Sequence, residues 1–109
     1  MKRVRTYSPV TRDAARLLGA RVRLARRERR WTIQELAERV GVSHVTMRKI
    51  ERGDLTVALG VALEAATIVG VPLFHVDRDR RRLEARHVDD RLALLPQAVR
   101  KPTEIDDDF

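Results

Sequence analysis

The sequence predicts an all-α fold, because apolar residues recur at helical spacing and helix-start and helix-stop signals alternate along the chain. Nothing in the pattern suggests a sheet, and no internal repeat is present. The 109 residues suffice for one small domain, whose modest core is expected to need a partner or a second copy. The absence of cysteine excludes disulfides and thiolate zinc sites.

The first predicted helix begins at Ser8, an N-cap residue type that precedes Pro9 at a first-turn position. This helix should run to about Arg30. Its apolar face is predicted from four residues at helical spacing: Ala14, Leu18, Val22 and Ala25. Residues 1–10 form a basic N-terminal arm.

Two short helices follow, separated by a tight turn. Thr32 can cap the second helix, and Glu35 three residues later completes a capping box. Gly41 ends this helix, Ser43 can cap the third one, and Gly53 ends that.

Residues 54–70 predict a turn and a fourth helix, with Thr56 as its candidate cap and Gly70 as its end. Its core side is predicted to hold Leu59, Leu63 and Ala66. Pro72 opens a fifth segment, and two residues after it are predicted in the core: Leu73 and Phe74.

The remaining chain predicts two further regions. Residues 75–95 predict an additional charged C-terminal helix with a thin apolar face, closed by Pro96. Residues 96–109 predict an acidic tail that is disordered when free. The domain organisation is therefore an arm, a helical domain over residues 11–74, a helix that is a possible dimer or partner surface, and a tail.

The charge is strongly asymmetric around a formal net value of +7. Residues 21–30 hold six Arg and one Glu, whereas residues 104–109 hold four carboxylates and no cation. Such a field favours polyanions, namely DNA, RNA or an acidic membrane surface. No run approaches membrane-spanning length and no apolar leader follows the basic start, so a soluble cytoplasmic protein is expected.

The stretch LAERVGVSHVTMRKIERG, residues 36–53, has the spacing of two helices that cross at close range. Gly41 tolerates positive φ in the turn, and Ala37 is the small residue one turn earlier. The buried positions are predicted to be Leu36, Val40, Val42, Met47 and Ile50. This pattern resembles the helix-turn-helix of the Xre/Cro-type repressor family, and the resemblance covers residues 17–74.

The resemblance implies a five-helix, lambda-repressor-like domain in which residues 43–52 form a recognition helix in the DNA major groove. The base-reading side chains are then expected to be His44, Val45, Arg48 and Lys49. Val45 can touch a thymine methyl group, and Arg48 or Lys49 can donate to guanine, worth about 1–3 kcal/mol of discrimination if bidentate. The alternative is that Val45 packs on a neighbouring helix and the cations are only solvated.

The sequence indicates the phosphate-binding residues less clearly than the base-reading ones. The family often has Gln where this chain has Ile33, and here Gln34 stands one place later, where helix-start amides can still bind phosphate. The loop after the recognition helix lacks basic residues. Phosphate-binding residues are therefore expected to be Ser43, Thr46, Gln34, Arg52, Arg21, Lys2, Arg3 and Arg5.

Arg26 and Glu51 continue two apolar faces, from Val22 and Met47 respectively, so both charges are predicted to point inward and form a structural ion pair. The family resemblance agrees, since an Arg of the first helix commonly pairs with the Glu before the terminal Gly. The alternative places both charges in solvent.

The tail LALLPQAVRKPTEIDDDF, residues 92–109, resembles that of HipB-type antitoxins, which pair such a helix-turn-helix with a kinase-like toxin. Under this interpretation the toxin-binding residues are Val99, Ile105, Asp106, Asp107, Asp108 and Phe109. Two alternatives are a solubilising acidic terminus and a tail that folds back on the Arg-rich surface and competes with DNA.

The predicted function is a sequence-specific, homodimeric repressor of its own promoter, acting as the antitoxin of such a module. A stand-alone regulator, an RNA-binding protein and a protein-interaction adaptor are the alternatives. RNA binding is disfavoured because only four aromatic residues are present for base stacking. No enzyme, cofactor or metal is expected, since the histidines are scattered and helical spacing separates His75, Asp77 and Asp79.

Overall fold

The computed structural model describes residues 5–74, 77–99 and 101. Over these residues the chain is helical and contains no strand. The helices are α1 (Pro9–Glu28), α2 (Ile33–Val40), α3 (His44–Arg52), α4 (Leu59–Ile68) and α5 (Arg78–Ala93). The predicted all-α fold class is confirmed. The chain divides between Leu73 and Phe74 into two compact units, the first with α1 to α4 and the second with α5.

The long helix α1 begins and ends through local hydrogen bonds. The Ser8 hydroxyl accepts from the Thr11 amide at 3.3 Å, and Pro9 occupies the first turn. At the other end Arg30 has a φ of 60°. The Trp31 amide then donates to the Arg26 carbonyl at 3.1 Å, so a left-handed residue other than glycine turns the chain towards α2.

The core of the first unit collects apolar residues from all four of its helices and from the segment after α4. The buried apolar residues are Val22, Leu36, Ala37, Met47, Ile50, Ala65, Ala66, Val69 and Val71. Ala14, predicted on the apolar face of α1, is instead exposed. The buried side of α1 runs through Gly19, Val22 and Arg26, roughly a third of a turn away.

Two predictions about α4 are wrong. Thr56 does not cap the helix, because its amide and hydroxyl donate to Asp54 Oδ1 at 2.8 and 2.5 Å; the N-cap is Ala58, which makes no side-chain cap bond. Leu59 is 72% exposed, so the core side of α4 is formed by Ala65 and Ala66 rather than by its first turn.

The segment opened by Pro72 is not helical over residues 71–74. Leu73 is half-buried and packs against the core, as predicted, but Phe74 is 92% exposed with a φ of 63°. The first unit therefore has four helices in the part of the chain that is described, and Phe74 belongs to the second unit.

Asp77 is the N-cap of α5, and its carboxylate accepts from the Asp79 amide at 2.9 Å. No residue of α5 is buried. Its larger apolar side chains, Leu83, Val88 and Leu92, are more than half exposed. The helix thus has a thin apolar face, and the second unit does not cover it within the described residues.

Candidate nucleic-acid interface

The turn between α2 and α3 is fixed by helix-capping residues and a glycine that lie close together in the sequence. The Glu35 amide donates to the Thr32 hydroxyl at 3.0 Å, and the Thr32 amide donates to Glu35 Oε1 at 3.1 Å, which forms the predicted capping box. Gly41 then adopts a φ of 85° and ends α2. The Thr46 amide donates to the Ser43 hydroxyl at 3.1 Å and starts α3. Two helices therefore meet across a turn of fixed geometry.

The inner side of α3 is held by buried apolar contacts. Met47 and Ile50 are 0% and 4% exposed, and they lie in one cluster with Leu36 and Ala37 of α2. Burying a side chain of this kind contributes about 1.5–3 kcal/mol. The inner residues thus fix which way the other side of α3 points.

A close backbone contact between α1 and α3 was not predicted. A Cβ atom on Gly19 would lie 2.5 Å from the Ile50 carbonyl oxygen and 2.7 Å from that of Glu51. Gly53, which ends α3 with a φ of 78°, has no room either, since a Cβ there would lie 2.8 Å from Arg16 Cα. Both glycines let α1 lie directly against the last turn of α3. The one available sequence signal was a glycine inside an otherwise helical pattern.

The ion pair predicted from helical position is present. Arg26 Nε donates to Glu51 Oε2 at 2.7 Å and Nη2 donates to Oε1 at 3.1 Å, while Nη1 donates to the Trp31 carbonyl at 2.8 Å. The two side chains are only 9% and 5% exposed. This bidentate pair joins α1 to α3 and neutralises Glu51, the one carboxylate of α3.

The outer side of α3 is polar and cationic. Four of its residues are exposed: His44, Val45, Arg48 and Arg52. Val45 is 51% exposed and does not pack in the core, so the alternative of burial against a neighbouring helix is not what the structure shows. Because Glu51 is paired inside, the exposed charge of α3 is positive.

Lys49 has a different environment from Arg48. It is half-buried and borders a surface hollow of about 360 Å³. The hollow is lined by Val42, Thr46, Lys49, Thr56, Val57, Ala58 and Val61. Of the four residues expected to read bases, Lys49 is therefore at the edge of the outer face, beside the loop that leads to α4.

That loop carries a carboxylate rather than a cation. The pKa of Asp54 is lowered, chiefly by the hydrogen bond from the Thr56 hydroxyl, then by that from the Thr56 amide, with smaller contributions from the charges of Lys49 and Arg52. The Asp54 amide also donates to the Lys49 carbonyl at 2.9 Å. Asp54 thus stays ionised at neutral pH and lowers the positive potential at this end of α3.

The residues expected at phosphates are not all brought together. Gln34 is exposed in the first turn of α2, since Ile33 packs against the core, and Arg52 is exposed at the end of α3. The Ser43 hydroxyl is engaged with Thr46, so one lone pair remains for another donor. Arg21 lies about 200° around α1 from Gly19, which contacts α3, and so points away from that helix.

Of the residues predicted in the arm and the tail, the structure describes two, Arg5 and Val99. Arg5 is described and exposed, whereas Lys2 and Arg3 lie outside the described residues. In the tail, Val99 is 85% exposed. The other five tail residues, Ile105, Asp106, Asp107, Asp108 and Phe109, also lie outside them.

Arginine side chains around Trp31 support the end of α1. The Arg39 guanidinium lies 4.0 Å from the centre of the Trp31 ring and that of Arg29 lies 5.4 Å from it. Arg29 Nε also donates to the Val69 carbonyl at 3.0 Å, which joins α1 to the end of α4. The sequence marked Arg29 only as part of the basic run over residues 21–30 and did not mark Arg39, because no local pattern indicates such contacts. They show that part of the Arg content is structural.

The described part of the chain contains neither a candidate metal site nor a candidate membrane span. No group of His, Asp or Glu there is arranged to hold a metal ion. None of the helices in the same residues is long and apolar enough to cross a membrane. His75 lies outside that range, so its proposed separation from Asp77 and Asp79 stays a prediction.

Two capped helices joined by a glycine turn, with the second one cationic on its outer side, define a helix-turn-helix protein. A family model described as a helix-turn-helix domain matches residues 17–83, more than half of the chain, and the chain belongs to that family. The family implies DNA as a partner and a role in transcription regulation, and the match contains no catalytic domain. No curated protein and no solved structure gives a significant match.

Proposed function

We propose that the chain is a sequence-specific transcriptional repressor of the Xre/Cro type, which binds an inverted-repeat operator in its own promoter as a homodimer. One observation carries the proposal. The helix α3 is fixed from inside by Met47, Ile50 and the Arg26–Glu51 pair, and it exposes a cationic outer side. A helix held in this way can enter a major groove without reorganising.

The first turn and the middle of α3 are assigned to base edges. His44 and Val45 are exposed in the first turn, and Val45 suits a thymine methyl group. Arg48 is exposed one turn on, where a guanidinium can donate to guanine O6 and N7. Lys49, at the edge of this face, is assigned to a neighbouring base.

Phosphate contacts are assigned to groups on either side of α3. Gln34 and the amides at the start of α2 lie on one side, and Arg52 lies at the far end of α3. Thr46 is assigned a supporting contact, because its hydroxyl accepts from Ser43 and keeps its own hydrogen to donate to a phosphate oxygen. Ser43 is assigned one in which its hydroxyl exchanges the bond to Thr46 for a bond to phosphate. The arm residues Lys2, Arg3 and Arg5 are proposed to follow the backbone or a minor groove.

Arg48→Ala and Lys49→Ala test this assignment. An operator is first selected from a pool of random duplexes, and binding is then measured to it and to random DNA. We expect each change to weaken operator binding by about 1–3 kcal/mol, with a smaller loss on random DNA. The matched control is Arg27→Ala, because Arg27 is exposed on α1 away from the core. Equal losses on both DNAs would show that these residues do not read bases.

The arm and the nucleic-acid class are tested separately. We expect Arg5→Ala to weaken both DNAs alike and to reduce the salt slope by about one. Competition among duplex DNA, scrambled DNA and RNA then distinguishes the classes. Equal affinity for all three would contradict a sequence-specific repressor and favour the RNA-binding or adaptor alternatives.

We propose further that the repressor is the antitoxin of a HipBA-like operon and binds a kinase-like toxin. The tail sequence supports this, as do the exposed apolar residues of α5 and the 85% exposure of Val99. A chain truncated at Pro96 should lose the toxin and keep the operator. Tighter binding to all DNA after truncation would favour a self-masking tail. The absence of a kinase-like neighbouring gene would favour a stand-alone regulator.

A further inference from the structure

The outer side of α1 carries an apolar stripe that the core does not use. Val10, Leu17 and Leu24 are 77%, 54% and 60% exposed. Their heptad spacing places them close to one line along the helix. Ala14 and Ala20 are exposed beside this line. A regular stripe differs from scattered exposed leucines, which need no explanation.

This stripe lies away from both the core and α3. The inner side of α1 holds Gly19, Val22 and Arg26, all buried, and Gly19 abuts the backbone of α3. Leu17 and Leu24 lie roughly 140–180° around the helix from those positions. A partner bound to the stripe therefore leaves the outer side of α3 open.

We infer that the outer face of α1 pairs with the same face of a second copy, with the two helices antiparallel about a twofold axis at Leu17. In that register Leu17 lies opposite its own copy, and Val10 lies opposite Leu24 of the partner. Asp13 then lies opposite Arg21 of the partner, and the same pair forms again across the axis. In this register apolar residues lie opposite apolar residues and each carboxylate lies opposite a guanidinium, so the face is complementary to itself.

The charges on the outer face of α1 favour a second copy of this chain over a nucleic acid as the partner. Asp13 is the one carboxylate among residues 1–27, and it stands where the twofold arrangement needs an anion. Within the described residues, no ion pair or side-chain hydrogen bond involves Asp13 or Arg21. Nucleic acid would be repelled by Asp13 and would not use the leucines. Arg21 is thereby assigned to the partner copy rather than to phosphate.

This inference deepens the proposed homodimer and rests on that proposal only for the expectation of a twofold assembly. Self-association is measured without DNA, so its failure leaves operator binding by the monomer untouched. Conversely, a dimer that forms as described would stand even if the chain bound RNA.

The first test is the mass of the full chain by sedimentation equilibrium, without DNA. We expect a dimer for the wild type, and for Leu17→Arg a dissociation constant raised at least about tenfold, because two cations meet at the axis. Leu92→Arg is the matched control: Leu92 is 61% exposed on α5, close to the exposure of Leu24. A wild type that stays monomeric, or dissociation by Leu92→Arg but not by Leu17→Arg, overturns the inference.

The second test uses the charges and needs no disruption of the apolar stripe. Asp13→Arg and Arg21→Asp should each raise the dissociation constant about three- to tenfold, since like charges then face each other. The double variant should return to the wild-type value, and an equimolar mixture of the two single variants should form heterodimers. Far-UV circular dichroism checks that each variant folds. Single variants that dimerise normally, or a double variant that is not restored, overturn the antiparallel register.

Discussion

The helices α3 and α5 are both rich in cations, yet they differ in what lies behind them. In α3, Met47 and Ile50 are buried and Glu51 is paired with Arg26, so one side of this helix is packed against the rest of the domain. α5 has no buried residue. Charge composition alone does not separate these two helices.

The difference shows what turns a basic helix into a reading surface. Base recognition requires donors held in place relative to each other and to the rest of the domain, and packing on the other side of the helix supplies this. A helix without buried residues, such as α5, has charge but no packed side of this kind.

The largest effect is expected from Glu51→Ala. This change leaves the Arg26 guanidinium buried without its carboxylate, which should cost about 3–5 kcal/mol of unfolding free energy. The matched change on α5 is Asp90→Ala, at an exposed acid, and it should stay within about 0.5 kcal/mol. Urea unfolding followed by circular dichroism measures both. Similar losses for the two variants would contradict the difference drawn between the helices.

Gly19→Ala should have the next largest effect. The added methyl meets the carbonyl oxygens of Ile50 and Glu51, and backbone cannot move aside as a flexible side chain can. Overpacking of this kind costs about 1–3 kcal/mol. Gly60→Ala is the control, because nothing lies within 4 Å of a Cβ there; it should be neutral or stabilise by about 0.4–1 kcal/mol. Thermal unfolding of the two variants decides whether α1 and α3 are as close as described.

The sequence predicted well those features that depend on residues close together along the chain. The caps at Ser8, Thr32 and Ser43 and the glycine ends of α2 and α3 are local hydrogen-bond and φ requirements, so residue type was enough. The Arg26–Glu51 pair followed from helical periodicity, because two apolar faces each had to end at a charge.

The errors arose where two local patterns competed or where contacts are long-range. Thr56 can cap a helix or bond to Asp54, and residue type does not decide between the two. Phe74 looked like core by hydrophobicity alone, whereas its exposure depends on where the first unit ends. The contact at Gly19 and that between Arg29 and Val69 join residues far apart in sequence. These contacts position α1 against α3 and α4, and no pattern of neighbouring residues indicates them.

The smallest effect concerns Asp54, at the exposed end of α3. Its pKa is lowered in the folded state by the Thr56 hydrogen bonds, so its ionised form adds stability above the unfolded pKa of about 3.9 and loses it as pH falls through the folded value. Asp54→Asn keeps an oxygen for Thr56 but removes the charge. We expect it to lower stability near pH 6 by less than about 1 kcal/mol, since solvent screens the group. The difference should vanish towards pH 2, where Asp54 is itself neutral.

The same variant should bind random DNA slightly more tightly, because a carboxylate beside Lys49 is gone. Unfolding curves for both proteins between pH 2 and 6 measure the first effect, and a constant gap across that range would show that the charge of Asp54 does not stabilise the loop.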